Sequence, residues 1–252
     1  MIERLERGLS LMIKSRPYAA RNREAVVSFT FDDFPSSALK VGGNLLEKAG
    51  FQATYYTVSN LLGTKQKNIP LASSEDVKAA HRSGHEIACH TLDHVNCQLQ
   101  SRDSLHQQLA LNRERLANLT GTPPVSFSYP FGLLNFSAKA EAMRIYSSAR
   151  TIYYGFNLRT LDLSALRAVR IYSHSFDELL IGQLLDKAVR KRGWVIFYTH
   201  DVSEQPSKVG CTPKHLETVA DMVHHRNITT LPIRHALGLI SFKPYTQRNY
   251  AS

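Results

Sequence analysis

Two adjacent carboxylates, Asp32 and Asp33, close the apolar run Val26–Phe31 and are followed by Phe34 and Pro35. Neighbouring carboxylates repel, so at a buried strand end such a pair needs a cation or a shared proton; in a solvated turn it needs neither. A second apolar run, Gly84–Cys89, leads into His90-Thr91-Leu92-Asp93-His94. If the chain turns helical after His90, imidazoles at i and i+4 face one side and reach a single divalent cation; otherwise they decorate a surface. One carboxylate with two histidines makes a facial triad with open positions. That set suits Lewis-acid hydrolysis and is compatible with zinc, cobalt, iron or nickel, with Asp32 beside the metal as a base. In Trp194–Thr199, followed by His200, a period of two puts Trp194, Ile196, Tyr198 and His200 on one side. This sets an imidazole at a strand end above an apolar wall; the plainer alternative is a core histidine. Finally, Phe127-Ser128-Tyr129 runs into the turn Pro130-Phe131-Gly132, which can present a backbone N–H to an oxyanion.

These residues need elements to hold them. Strand-like runs lie near 25–31, 52–58, 85–89, 125–129, 151–155, 167–172, 194–199 and 228–231, and helix-like stretches separate most of them. The helices carry local signals: Ser101 and Asp103 cap 103–119 ahead of Gly121, and Thr212-Pro213 opens 213–226. Alternation of this kind predicts a parallel sheet with crossover helices. The chemical residues fall at C-terminal strand ends, where barrel enzymes build their sites from separate loops. No repeat, low-complexity tract or long linker divides the chain. The expected organisation is an α/β fold in one domain: a helical extension over 1–24, a (β/α) barrel over 25–242 and a polar tail over 243–252.

At 252 residues, 43% hydrophobic and 21% charged, the chain is long enough for one large core and is not disordered or fibrous. With 31 Lys plus Arg against 21 Asp plus Glu, the net charge is +10. The basic residues are dispersed, with small clusters at Arg21/Arg23 and Arg190-Lys191-Arg192, and no nucleic-acid-binding motif accompanies them. A solvated basic surface is therefore expected rather than specific nucleic-acid recognition. No apolar run reaches the roughly 18 residues of a membrane span; peripheral contact with a membrane stays compatible with the basic surface and the amphipathic start. Cys89, Cys97 and Cys211 lack CxxC spacing, and no secretory leader is recognisable, so a reducing, cytoplasmic setting is expected.

In order and spacing, Thr30-Phe31-Asp32-Asp33, His90–His94, Tyr129-Pro130-Phe131-Gly132 and the strand ending at His200 resemble the motifs of the polysaccharide deacetylases of the NodB homology type, carbohydrate esterase family 4. The likeness covers about residues 25 to 240. It implies a distorted (β/α) barrel of the glycoside hydrolase/deacetylase type with a metal-dependent amide hydrolase site. By that resemblance Asp32 is the general base, and Asp33, His90 and His94 hold one divalent ion, zinc first. It also gives the Phe131 backbone N–H to the oxyanion and the general acid to His200. Tyr129, Pro130, Trp194 and Tyr198 are the expected substrate-contacting residues, the last two walling an acyl methyl pocket.

Three positions depart from the family pattern. Ser128 stands where many members have an Arg that pairs with the base; Arg170, on a nearby strand, is either its replacement or a surface residue. The Asp that usually tethers the acid His has two candidates, Asp162 and Asp201. Phe34 replaces a frequent Gly, which would narrow the pocket. The resulting expectation is a metal-dependent hydrolase removing N-acetyl or similar acyl groups from an amino-sugar glycan or glycoconjugate. The alternatives are a catalytically weak carbohydrate-binding relative, or an amidase or deformylase acting on a non-polymeric substrate.

Overall fold

The computed structural model describes residues 2–20 and 23–239. Its strands are β1 (Pro17–Ala19), β2 (Val26–Phe31), β3 (Ala53–Thr57), β4 (Lys65–Gln66), β5 (Ile69–Pro70), β6 (Glu86–Cys89), β7 (Ser126–Ser128), β8 (Ser148–Arg150), β9 (Thr160–Asp162), β10 (Val169–Arg170), β11 (Trp194–Thr199) and β12 (Thr229–Thr230). Its helices are α1 (Ile2–Met12), α2 (Asn44–Lys48), α3 (Ser74–Arg82), α4 (Arg102–Thr120), α5 (Phe136–Ile145), α6 (Glu178–Lys191), α7 (Pro213–His225) and α8 (Ile233–Leu239).

Eight strands form one sheet in the order β10-β11-β2-β3-β6-β7-β8, and β12 shares the edge of β2 with β3. Every pairing in it is parallel. The sheet curls into a distorted (β/α) barrel that stays open between β8 and β10. The two faces of each strand serve different cores. Val27, Phe29, Phe31, Val195 and Phe197 point outward and pack with Leu46, Val77, Leu185, Leu216 and Val219 of the surrounding helices. Val26, Tyr56, Ala88, Trp194, Ile196 and Tyr198 point inward, and Ile233, Ala236 and Leu237 of α8 plug them from below. Both faces being buried explains why β2 and β11 read as unbroken apolar runs.

The expected helix caps form. Ser101 Oγ accepts from Ser104 N and Gly121 ends α4 in the left-handed region at φ 72, while Thr212 caps α7 with Pro213 at its first position. The strand expected at 151–155 is displaced: the ladder beside β7 uses Ser148–Arg150, and Ile152 and Tyr154 are exposed. The N-terminal stretch is tied to the body, because β1 pairs antiparallel with β9 and Lys139 Nζ donates to the carbonyls of Ser10 and Ile13. Arg21 of the basic cluster and the 243–252 tail lie outside the described residues.

Candidate active site

The sheet delivers its chemical groups at one end. Asp32 N–H donates to Thr199 O, extending the β2–β11 ladder by one residue. The chain then turns through two consecutive left-handed residues, Asp33 at φ 61 and Phe34 at φ 54. For non-glycine residues this costs of order 1–3 kcal/mol each and persists only where the surroundings enforce it. The turn aims Asp33 into the barrel mouth and drives Phe34 the other way. Fully buried, the Phe34 ring stacks on Tyr55 at 4.3 Å within the outer core, so it does not narrow the pocket.

The second motif is not helical. Residues 90–96 form a loop in which Thr91 (φ 65) and His94 (φ 57) are left-handed. Thr91 Oγ1 accepts from Val95 N, Leu92 O accepts from Asn60 N, and Asp93 is gripped by Asn60 and Gln108. A pinned loop, not an i, i+4 helix face, brings the imidazoles together. Asp33 Oδ1 lies 3.4 Å from His90 Nε2 and 3.0 Å from His94 Nε2, and one ligand atom from each of the three residues falls within 4.8 Å of the others.

These three residues fit a divalent cation. His90 Nδ1 donates to Ser128 O at 2.8 Å, which leaves the lone pair on Nε2 pointing at Asp33. Asp33 Oδ1 is buried and has no partner of hydrogen-bond geometry, so lone pairs face one another across the gap. Burial pushes the Asp33 carboxyl up; when no cation is bound and the imidazoles carry protons toward it, His90 and His94 outweigh burial and hold the group well below the ordinary carboxylate range. One carboxylate oxygen with two imidazole nitrogens is a donor set for zinc and its neighbours.

Asp32 is buried behind this cluster, and its Oδ1 accepts from Arg150 Nη2. Burial raises the Asp32 carboxyl, and the Arg150 charge, with His90 and His200 nearby, more than offsets it, so the group sits below its usual value. The Arg150 guanidinium is wholly buried, 4.8 Å from the Tyr56 ring centroid and 5.0 Å from that of Tyr198. The sequence left Arg170 as either this cation or a surface residue, and the second reading holds. Arg170 is exposed, over Tyr172 at 6.0 Å. Arg150 was missed because it lay just outside the strand expected at 151–155.

His200 Nε2 is 3.9 Å from Asp33 Oδ2, and its Nδ1 contacts the Val209 carbonyl at 3.2 Å. Neither Asp162 nor Asp201 tethers it. Asp162 pairs with Lys139 at 2.7 Å, while Asp201 accepts from the Ser207 amide and hydroxyl and so shapes the loop that carries Val209. Phe131, left-handed at φ 58, lies in a turn closed by the amides of Gly132 and Leu133, and its exposed ring meets His94 edge-on at 4.5 Å.

The remaining expected contacts separate by depth. Trp194 does share a face with Tyr198, but it begins β11, about 20 Å from His200 at some 3.3 Å per residue. Its indole donates to Ser28 Oγ, so it cannot wall an acyl pocket at the mouth. Tyr129 is core, with its hydroxyl on Ser164 O, and Pro130 is buried beside it. Tyr198 is a layer below the mouth, packed against Arg150 and edge-on to Tyr172. Tyr172 itself stands 6.0 Å from the His200 ring and was not foreseen.

A family model described as polysaccharide deacetylase matches residues 19–146. The peptidoglycan-N-acetylglucosamine deacetylase PgdA of Listeria monocytogenes is 24% identical over 133 residues, 52% of this chain and 26% of that protein. The chain thus spans about a quarter of the length of this relative. Among solved structures, the Xyl-CE4 domain of a multidomain xylanase from the hindgut metagenome of Trinervitermes trinervoides superposes with a TM-score of 0.60 at 17% identity, over 88% of this chain and 94% of that one. A pseudoenzyme of the same CE4 family from Bacillus anthracis gives 0.59 at 16% identity, over 87% and 68% of the two chains. The fold is therefore shared by proteins with and without catalysis, and activity has to be argued from the site.

Proposed function

Because the chain belongs to the polysaccharide deacetylase family, we propose that it is a metal-dependent hydrolase that removes N-acetyl or similar acyl groups from an amino-sugar glycan or glycoconjugate. The observation that carries this reading is the convergence of Asp33, His90 and His94 beside the buried, Arg150-paired Asp32. Binding alone gives no reason to bury a second carboxylate with its own cation next to such a cluster. The weak-binding reading drew its support from Ser128, and Arg150 removes that reason.

Asp33 Oδ1, His90 Nε2 and His94 Nε2 would hold the ion, zinc in the first instance. When bound, the ion supplies Lewis acidity to the amide carbonyl and to the attacking water. The protein's own groups supply the rest. Asp32, kept ionised by Arg150, accepts a proton as the water attacks. The Phe131 backbone N–H faces the developing oxyanion. His200, protonated at Nε2 while Nδ1–H rests on Val209 O, donates to the departing nitrogen, which leaves poorly as an anion. The exposed Phe131 ring offers an apolar face for a sugar ring at the mouth.

The test is acetate release from N-acetylglucosamine oligomers by wild-type protein, by Asp32→Asn and by chelator-treated protein before and after zinc addition. Release should fall by about 10²–10⁴ without the base. Equal release from wild type and Asp32→Asn would overturn the mechanism. Acyl release confined to small non-sugar amides would favour the amidase alternative.

A further inference from the structure

At the opposite end of the barrel, a cavity of about 540 Å³ is lined by Ala20, Leu158, Arg159, Arg190, Lys191 and Arg192. Three separate segments build it. The end of α6 contributes Arg190, Lys191 and Arg192, and the chain passes through Gly193 into the first residue of β11. Asn157 bridges antiparallel to Trp194, which brings Arg159 alongside, and Ala20 N–H donates to Arg159 O at 2.7 Å.

Four cations thus surround one cavity, and none of its described lining residues is acidic. Among the described residues, none of the four makes an ion pair within 4.0 Å; Asp186, one turn back on α6, is engaged by Arg226 at 2.8 Å and feels the Arg190 charge only from farther away. Basic residues in the last turn of a helix favour its dipole. That accounts for Arg190 and Lys191 but not for Arg159, which arrives from another segment. Nor does it account for Arg192, a bulky residue held left-handed at φ 51 where glycine is the easy choice. Gathered like charges repel, and guanidinium groups match phosphate oxygens through paired N–H donors.

We propose that this cavity binds a phosphate-bearing anion with several charges, such as a diphosphate or triphosphate group. Its size admits a small molecule or a headgroup rather than a duplex. The site lies about 20 Å, one strand length, from His200, so the anion is held apart from the hydrolytic chemistry and leaves the mouth open to a glycan.

Calorimetric titration of the full chain with inorganic tripolyphosphate at low salt tests the proposal. Saturable binding at one site per chain is expected, weakened at least tenfold in Arg159→Gln/Arg192→Gln. A control, Lys65→Gln/Lys78→Gln, lowers the net charge equally elsewhere and should bind as wild type. Sedimentation with phosphatidylglycerol vesicles distinguishes the source. Loss of sedimentation in the arginine variant alone identifies a lipid phosphate; titration without sedimentation identifies a soluble one. No saturable binding, or equal weakening by both double variants, overturns the proposal. Matching melting curves of wild type and variants exclude misfolding as the cause.

Discussion

Arg150 on β8 stands at the register of Ser128 on β7, and from there its guanidinium reaches Asp32. Parallel neighbours at one register send their side chains to the same face about 4.8 Å apart. A guanidinium rooted on either strand can therefore occupy nearly the same volume inside the barrel. Arg150 thus reaches from β8 the place that the family resemblance gives to an Arg at position 128 on β7.

This relocation predicts the behaviour of Arg150 variants. Arg150→Ser leaves the buried Asp32 carboxylate unpaired, at a cost of about 3–5 kcal/mol in stability. Deacetylation should fall about 10- to 100-fold, as when a partner that orients a site residue is lost. Since the Arg150 charge helps hold Asp32 below its usual value, its loss moves the acid limb of the pH–rate profile to higher pH. Ser128→Arg in the Arg150→Ser background should recover activity and return the limb. A double variant no better than the single one would show that the two positions are not interchangeable.

The metal cluster predicts one tightly held divalent ion per chain. Elemental analysis after dialysis should find it in wild type, and His94→Ala should retain it at least tenfold more weakly, because a facial set reduced to two donors loses both affinity and geometry. Chelation should abolish acetate release, and zinc or cobalt should restore it. Release that survives complete removal of metal would refute the ligand assignment.

How much of this could be read beforehand depended on distance along the chain. Asp32, Asp33, His90 and His200 each sit on or just beyond a strand end, and the alternating pattern was enough to bring those ends together, whereas His94 rested on a helical turn that the loop does not make. Arg150 was hidden because Ser148-Ala149-Arg150 has little β propensity; its strand exists through pairing with β7, whereas the more strand-like Thr151–Tyr154 leaves the ladder. Trp194 failed for a different reason. Period two fixed its face correctly, but periodicity carries no height, and the five remaining residues of β11 separate it from the mouth. The loop at 90–96 escaped notice because left-handed Thr91 and His94 are set by tertiary contacts, not by their own preferences.

Lys139 predicts a stability effect far from the mouth. Its fully buried Nζ donates to Ser10 O, Ile13 O and Asp162 Oδ2, joining α5 to the end of α1 and to β9. Lys139→Met should cost about 3–5 kcal/mol, measured by urea denaturation. Burial raises the Asp162 carboxyl, but Lys139, Ser164 and the Arg16 amide outweigh it and leave it lowered. A depressed carboxyl stabilises the fold above its unfolded pKa, and that contribution is lost as pH falls through the folded value. In Lys139→Met the depression shrinks, so acid should destabilise the variant less steeply than wild type. Parallel pH profiles would break the link between the two residues.

Glu86 predicts the opposite sign. Its Oε2 accepts from Thr54 Oγ1 at 2.9 Å and from Arg234 N at 2.8 Å, fastening α8 beneath the barrel, while Oε1 is buried without a hydrogen-bond partner. Burial pushes this carboxyl up from its ordinary value, and the nearby Ser126 hydroxyl, the Arg234 amide and charge, and Thr54 offset only part of the rise. The folded protein therefore holds the Glu86 proton to higher pH than the unfolded chain does. The corresponding stability is present below the unfolded pKa and is lost as pH rises through the folded one. Glu86→Gln keeps an acceptor for Thr54 and Arg234 and places an amide donor near Ser126 Oγ, which also lacks a partner. The melting temperature of Glu86→Gln relative to wild type should rise as pH increases above the ordinary carboxylate range, because only wild type then develops a buried charge. A difference that stays constant with pH would mean that Glu86 does not titrate differently in the folded and unfolded states.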